Sequence, residues 1–336
     1  MSKTVKSGMI GIDVRNDRVL MAQVKGSSAV LAVERLPENL IRNGQIVSPE
    51  LLAKFLKQMR KAHKFSGSSC VLVLPSRDTY FRTASMPRVT EQQLLLNLPY
   101  EFRDYIGTEG AYYNYDYAIN TAAMEEKSAD EDDDSLELFI AASNKQLIAD
   151  YGNILRRAGL NMKAAIPREM ALINLMVAAN AIAPSVQEYC LVEFGYDHTR
   201  INIAKGGALA ATKTIDFGLS QFDSAIAFAY NIDLFVASSY RETNYEDVLN
   251  SSACQGVCDQ IGLEITKAIN FYKYENPDSE ISSIIFCGIG SDERAIVDAI
   301  SDYVGLPERS INEIVPACCA SNENTSRCAA AIGASL

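Results

Sequence analysis

The chain has 336 residues, 48% of them apolar and 22% charged, which is enough for a large core and for two lobes rather than one domain. Lys plus Arg number 31 against 42 Asp plus Glu, a formal net charge of −11, so the chain as a whole repels phosphate backbones and nucleic acid is not an expected partner. No apolar run approaches the roughly 20 residues that span a bilayer, and residues 1–8 lack the apolar stretch of a secretory leader, so the expected location is cytoplasmic.

Residues 9–36 (MIGIDVRNDRVLMAQVKGSSAVLAVERL) read as three apolar, β-branched strands joined by two tight turns. A helix follows over 49–64, with Leu52, Phe55, Leu56 and Met59 on one face, then a strand over 69–74 that stops at Pro75. Thr90 caps a helix over 90–105, with Gln93 placed for a capping box, and Pro99 should kink or divide it. Residues 112–119 and 136–142 read as paired strands; between them the charge run 125–134 (EEKSADEDDD) reads as a solvated loop. Helices over 146–158, closed by Gly159, and over 170–179, preceded by Pro167, complete the first half. The second half opens on another three-strand segment, 189–215, followed by helices over 220–230, 233–241, 245–249 and 257–274. A buried strand over 281–286 then runs into Gly288-Ile289-Gly290-Ser291 and a helix over 293–304.

The two three-strand segments are copies displaced by 180 residues. Asp13 aligns with Glu193, Asp17 with Asp197, and Lys25-Gly26 with Lys205-Gly206. In both, an acidic residue ends the first strand and the second turn is Lys-Gly, which points to internal duplication. A strand ending in a carboxylate before a tight turn suits a metal-bound phosphate, because Mg²⁺ takes oxygen ligands and turn N–H groups take phosphate oxygens. Two such turns facing across a cleft would clamp a polyphosphate. The glycines 288 and 290, standing before a helix, would let backbone approach a ligand closely.

Other chemistries are poorly supported. The eight cysteines include four in apolar runs (Cys70, Cys190, Cys287, Cys328), and the two histidines, His63 and His198, lie away from the Cys254/Cys258 and Cys318/Cys319 pairs. Packed thiols are expected rather than zinc. No Gly-x-Ser-x-Gly elbow accompanies either histidine.

Several segments resemble the PilM family of type IV pilus assembly proteins, within the actin-like ATPase superfamily. Gly11-Ile12-Asp13-Val14 is similar to that family's opening strand, and Pro37 through Gly44-Gln45-Ile46 to the segment before its first helix. Leu74-Pro75, Arg82, Met86-Pro87-x-Val89, Glu91, Leu94, Glu101 and Tyr105-Ile106 match its most distinctive run. Tyr115-Asp116-Tyr117, Ala158-Gly159-Leu160, Glu264-Ile265-x-Lys267 with Phe271-Tyr272, and the closing Ala-Ile-Gly-Ala extend the likeness over nearly the whole chain.

The resemblance implies an α/β, duplicated ribonuclease-H-like fold. Two lobes would surround a nucleotide cleft: 1–180, with an inserted subdomain about 38–165, and 181–336, whose C-terminal helix returns to the first lobe. It places ATP and Mg²⁺ near Asp13, Arg15, Asn16, Asp17, Glu193, Gly195, His198, Thr199, Gly218, Arg241, Lys267, Gly288, Gly290 and Ser291, with Asp13 and Glu193 toward the metal. It implies a cytoplasmic scaffold that captures the N-terminal tail of a PilN-like inner-membrane protein, contacts motor or platform proteins, and meets the membrane only through its partner. The departures lie in the cleft. Val14-Arg15-Asn16-Asp17 stands where the family has Gly and Ser residues, Glu193 replaces Asp, Ala237-Ser238-Ser239-Tyr240-Arg241 replaces Ala-Glu-x-x-Lys, and Ile289 replaces a second glycine. Together they imply weakened or lost ATP binding. An active ATPase or sugar-kinase relative, and an FtsA-like division protein, are the alternatives on the same fold; the second would need a C-terminal amphipathic tether that 331–336 does not supply.

Overall fold

The computed structural model describes residues 8–37, 40–42, 44–76, 79–120, 135–182, 188–320 and 322–336; the charge run 125–134 lies outside them. By its contacts the chain divides into two units, residues 1–175 with 330–336, and residues 176–329.

The first unit is built on a meander, β1 (Ile10–Val14), β2 (Arg18–Lys25) and β3 (Ser28–Arg35). Gly26 turns β2 into β3 at φ +58°, a left-handed conformation that glycine adopts without steric cost. A two-residue hairpin follows, β4 (Ile41–Arg42) with β5 (Gln45–Ile46). Helix α1 (Pro49–Ala62) starts with proline at its first position, where the missing N–H costs nothing, and buries Leu52, Ala53, Leu56 and Met59. Strand β6 (Ser69–Val73) joins β1 in parallel.

Residues 79–144 form a sheet of their own. Strand β7 (Thr79–Pro87) leads to α2 (Glu91–Glu101), α3 (Arg103–Ile106), β8 (Tyr113–Ile119) and β9 (Ser135–Asn144). The strand order is β7-β9-β8, all antiparallel. Leu94, Leu98, Phe102 and Ile106 from the helices pack on Ala84, Met86, Leu138 and Ile140 from the strands as a separate core. The expected capping box is present: Gln93 N–H donates to Thr90 Oγ1 at 3.4 Å and Thr90 N–H to Gln93 Oε1 at 3.1 Å. Pro99 lies inside α2, and the helix divides at Phe102.

The chain then returns to the first sheet through α4 (Lys145–Arg157) and β10 (Asn161–Ile166), the latter parallel to β6. The first sheet has the order β10-β6-β1-β2-β3, with β1 central and buried throughout. The span 38–165 therefore holds two things: α1, β6, α4 and β10, which complete the first sheet and its core, and residues 79–144, which have a core of their own. Helix α5 (Arg168–Ile182) follows β10.

The second unit repeats the plan. Strands β11 (Glu188–Phe194), β12 (Thr199–Lys205) and β13 (Ala208–Ile215) form the meander, and β13 lies 180 residues after β3 residue for residue. Gly206 turns β12 into β13 at φ +56°, matching Gly26. Helices α6 (Leu219–Tyr230), α7 (Leu234–Thr243) and α8 (Ser252–Glu275) precede β14 (Ile281–Cys287), which runs parallel to β11. Residues 245–250 form a 3₁₀ turn. After α9 (Arg294–Val304) and the short β15 (Glu308–Arg309), the sheet order is β13-β12-β11-β14-β15, the counterpart of the first sheet strand for strand.

The closing helix, α10 (Ala329–Ser335), packs on β1 and α5 through two glycines. A Cβ on Gly11 would stand 1.9 Å from the Ala331 carbonyl oxygen, and one on Gly333 would stand 1.8 Å from that of Ala171. Among the described residues, no helix is long and apolar enough to cross a membrane.

Candidate functional site

Strands β1, β6 and β10 are parallel neighbours and end together. Asp13 sits opposite Val73, and Val73 opposite Ile166. Arg168, two residues past the end of β10, therefore reaches the end of β1. Its guanidinium grips Asp13 with two bonds: Nη2 donates to Oδ1 at 2.6 Å and Nη1 to Oδ2 at 2.8 Å. Arg15 adds a third, Nε to Oδ2 at 3.0 Å. Asp13 is 1% exposed and Arg168 7%. Burial would push the Asp13 carboxyl up, but the charges and hydrogen bonds of Arg15 and Arg168 outweigh it and hold the group well below the usual carboxylate range.

This arrangement does not fit a Mg²⁺ ion at Asp13. Both carboxylate oxygens already accept from guanidinium donors, and a dication there would sit beside two fixed positive charges. The rest of the first turn faces elsewhere. Asn16 Oδ1 accepts from Gly44 N–H at 3.0 Å, and the exposed Asp17 carboxylate pairs with Arg18 at 2.6 Å.

The second unit brings most of its predicted residues to the matching end of its own sheet. Glu193, opposite Cys287 on β14, is buried and accepts from Arg200 Nη1 at 3.2 Å. Gly195 donates to the His198 carbonyl at 3.1 Å, and a Cβ there would lie 2.5 Å from that oxygen. Thr199 Oγ1 donates to the Phe217 carbonyl at 2.7 Å, tying β12 to the start of α6. Gly218 caps α6 in extended backbone; its N–H donates to Gln221 Oε1 at 2.8 Å, and a Cβ would lie 2.4 Å from the Tyr196 carbonyl oxygen. His198 is half exposed beside Asp216 at 3.2 Å.

The glycines after β14 serve packing. Gly288 has φ +91°, and a Cβ would lie 2.6 Å from the Phe194 carbonyl oxygen; one on Gly290 would lie 2.5 Å from the Phe194 ring. The N–H groups are taken up internally: Gly288 donates to Ser326, Gly290 to Phe194 at 3.0 Å, and Ser291 to Gly288. Ser291 Oγ also donates to the Gly288 carbonyl, at 2.7 Å.

Arg241 points inward. It is 2% exposed, with Nε donating to Asp223 Oδ1 at 2.7 Å and Nη1 to Glu293 Oε1 at 2.6 Å. Tyr196 donates to the other Asp223 oxygen at 2.9 Å. Burial, and then the Asp223 charge and hydrogen bond, push the Tyr196 hydroxyl pKa up. Lys267 does not join this network; it lies on α8 with Glu264 at 2.7 Å, a carboxylate shared with Lys213 of β13.

Arg168, Arg200, Asp223 and Glu293, which no local motif marks, pair with the predicted Asp13, Glu193 and Arg241. Arg168 had a signal: a cation in the first turn of a helix opposes the helix dipole and favours a carboxylate partner. No disulfide links the eight cysteines; all are buried except Cys318, which is half-buried. Among the described residues, no cluster of three or more His, Cys, Asp or Glu could hold a metal ion.

No curated protein matches the sequence. The chain is similar in fold to a solved structure of a PilM–PilN type IV pilus biogenesis complex, with a TM-score of 0.82 at 20% identity over 98% of both chains. It is also similar to ethanolamine utilization protein EutJ from Carboxydothermus hydrogenoformans, with a TM-score of 0.57 at 11% identity over 97% of this chain and 90% of that one. The duplicated sheets are those of the actin-like ATPase fold. Residues 11–325 match the family described as type IV pilus assembly protein PilM, and the chain belongs to that family.

Proposed function

We propose that this protein is a cytoplasmic scaffold of type IV pilus assembly that holds the N-terminal tail of a PilN-like inner-membrane protein, and that its nucleotide site is degenerate. The family match over residues 11–325 carries the reading. The likeness to a PilM–PilN complex supports the choice of partner. Through that tail the protein sits at the inner face of the membrane, where it connects the partner to the pilus motor or platform.

The pairing of Asp13 supports binding over turnover. Phosphoryl transfer on this fold needs a carboxylate open to Mg²⁺ and backbone donors open to phosphate. Here Asp13 is occupied by Arg15 and Arg168, and the N–H groups of Gly288, Gly290 and Ser291 donate to the carbonyl oxygens of Ser326, Phe194 and Gly288. Arg241, which stands where the family resemblance expects a lysine, is committed to Asp223 and Glu293. The test is a pull-down of the full chain on the immobilised cytoplasmic tail of a PilN-like protein, beside a steady-state ATPase assay. Retention on the tail with no turnover above background is the expected outcome. Turnover that Asp13→Ala abolishes, or failure to be retained, contradicts the reading.

A further inference from the structure

We infer that the outer face of α1 docks directly on an anionic phospholipid surface. Helix α1 buries Leu52, Ala53, Leu56 and Met59, and its opposite face carries Lys54, Lys57 and Lys61, with Lys64 just beyond the last turn. Successive members are three or four residues apart, so the ammonium groups line one stripe, about 10 Å long from Lys54 to Lys61. No carboxylate among the described residues pairs with any of the four lysines. Several cations elsewhere are neutralised in place: Arg18 by Asp17, Arg200 by Glu193, Lys213 and Lys267 by Glu264, Arg294 by Asp298 and Glu308.

Arg60 adds charge beside the stripe without spending it on a carboxylate. Its guanidinium donates to the carbonyl oxygens of Gly159, at 2.9 Å, and of Gly67. Two shallow recesses open along the stripe, about 330 Å³ against Phe65 and Gly159 and about 410 Å³ against Ala53 and Arg157, each able to seat a phosphate-sized headgroup. Only Glu50, paired with Arg157 at 3.5 Å, brings a negative charge to the recess walls.

The net charge of −11 hides this patch, but at physiological salt a surface interaction is felt only over about 8 Å, so the local lysines decide it. Charge alone would suit any polyanion. The apolar neighbours select the lipid surface: Val47 and Leu51, at the start of the helix, are each 55% exposed. They have no counterpart in a phosphate backbone and enter the headgroup region of a bilayer beside snorkelling lysines.

Co-sedimentation of the full chain with protein-free vesicles tests the inference independently of tail binding. The chain should bind vesicles of phosphatidylcholine with about 30% phosphatidylglycerol, should leave pure phosphatidylcholine vesicles alone, and should be released as salt rises from about 0.05 to about 0.5 M. Each lysine near an anionic surface contributes about a 5-fold gain, so K54A/K57A/K61A should weaken binding on the order of 100-fold, and K54R/K57R/K61R should retain it. Three results overturn the inference: no binding of the wild-type chain to the anionic vesicles, equal binding by the alanine variant, or tighter binding of duplex DNA than of vesicles.

Discussion

Replacing Arg168 with Met removes the two shortest bonds to Asp13 and leaves a 1% exposed carboxylate with one guanidinium partner, Arg15 Nε at 3.0 Å. Removing one member of a buried ion pair costs about 3–5 kcal/mol. Arg15 retains part of the compensation, so the expected loss is about 2–4 kcal/mol at neutral pH. The pH dependence follows from the depressed Asp13 pKa. In the wild-type chain the pairing adds stability that is fully present above the unfolded value of 3.8 and is lost as pH falls through the folded value. The variant lacks most of that depression, so its deficit is largest near pH 7 and shrinks below about pH 4. Urea unfolding at about pH 7 and about pH 2.5, with the double variant Asp13→Leu/Arg168→Met alongside, measures the deficit, its loss in acid and the coupling between the two residues. The double variant should recover part of the loss, because no charge is then left buried alone. A single variant within about 0.5 kcal/mol of wild type at pH 7 would refute the argument that Asp13 is held by these arginines.

Arg241→Met should cost about 3 kcal/mol by urea unfolding, because Asp223 is 1% exposed and loses its cationic partner. Gly11→Ala should cost about 3 kcal/mol in the same assay, since the new methyl would meet backbone of α10 at 1.9 Å and backbone cannot rotate away as a side chain does. A thiol reagent under native conditions should modify Cys318 ahead of the other seven cysteines; burial pushes the Cys70 and Cys190 thiols up to about 12, and denaturation should release all eight.

The duplication was legible because turns carry their own chemistry. Lys-Gly at 25–26 and at 205–206 signals the same left-handed turn, and the φ values of Gly26 and Gly206 differ by only 2°. The long amphipathic helices were legible from their apolar spacing, as α1 shows. Among the strands longer than two residues, β7 and β10 were not. Strand β10, Asn-Met-Lys-Ala-Ala-Ile, is a half-exposed edge strand poor in β-branched residues, and β7 mixes Arg82, Ser85 and Pro87 into a sheet with one open face. The site divided along the same line. Asp13, Glu193 and the glycines are marked by local motifs. Their partners are not, since Arg168 lies 155 residues from Asp13 and Glu293 lies 52 from Arg241, and only the tertiary fold, the parallel strand order in the case of Arg168, brings such residues together.

The central claim is that binding to the partner tail, rather than nucleotide turnover, is what this fold now does. Calorimetric titration of the full chain with the N-terminal cytoplasmic peptide of a PilN-like protein, run with and without MgATP, tests it most directly. The account predicts saturable binding with the same affinity in both titrations, because Asp13 stays bound to Arg15 and Arg168 throughout. Absence of binding in both, or binding that appears only with MgATP, would contradict it.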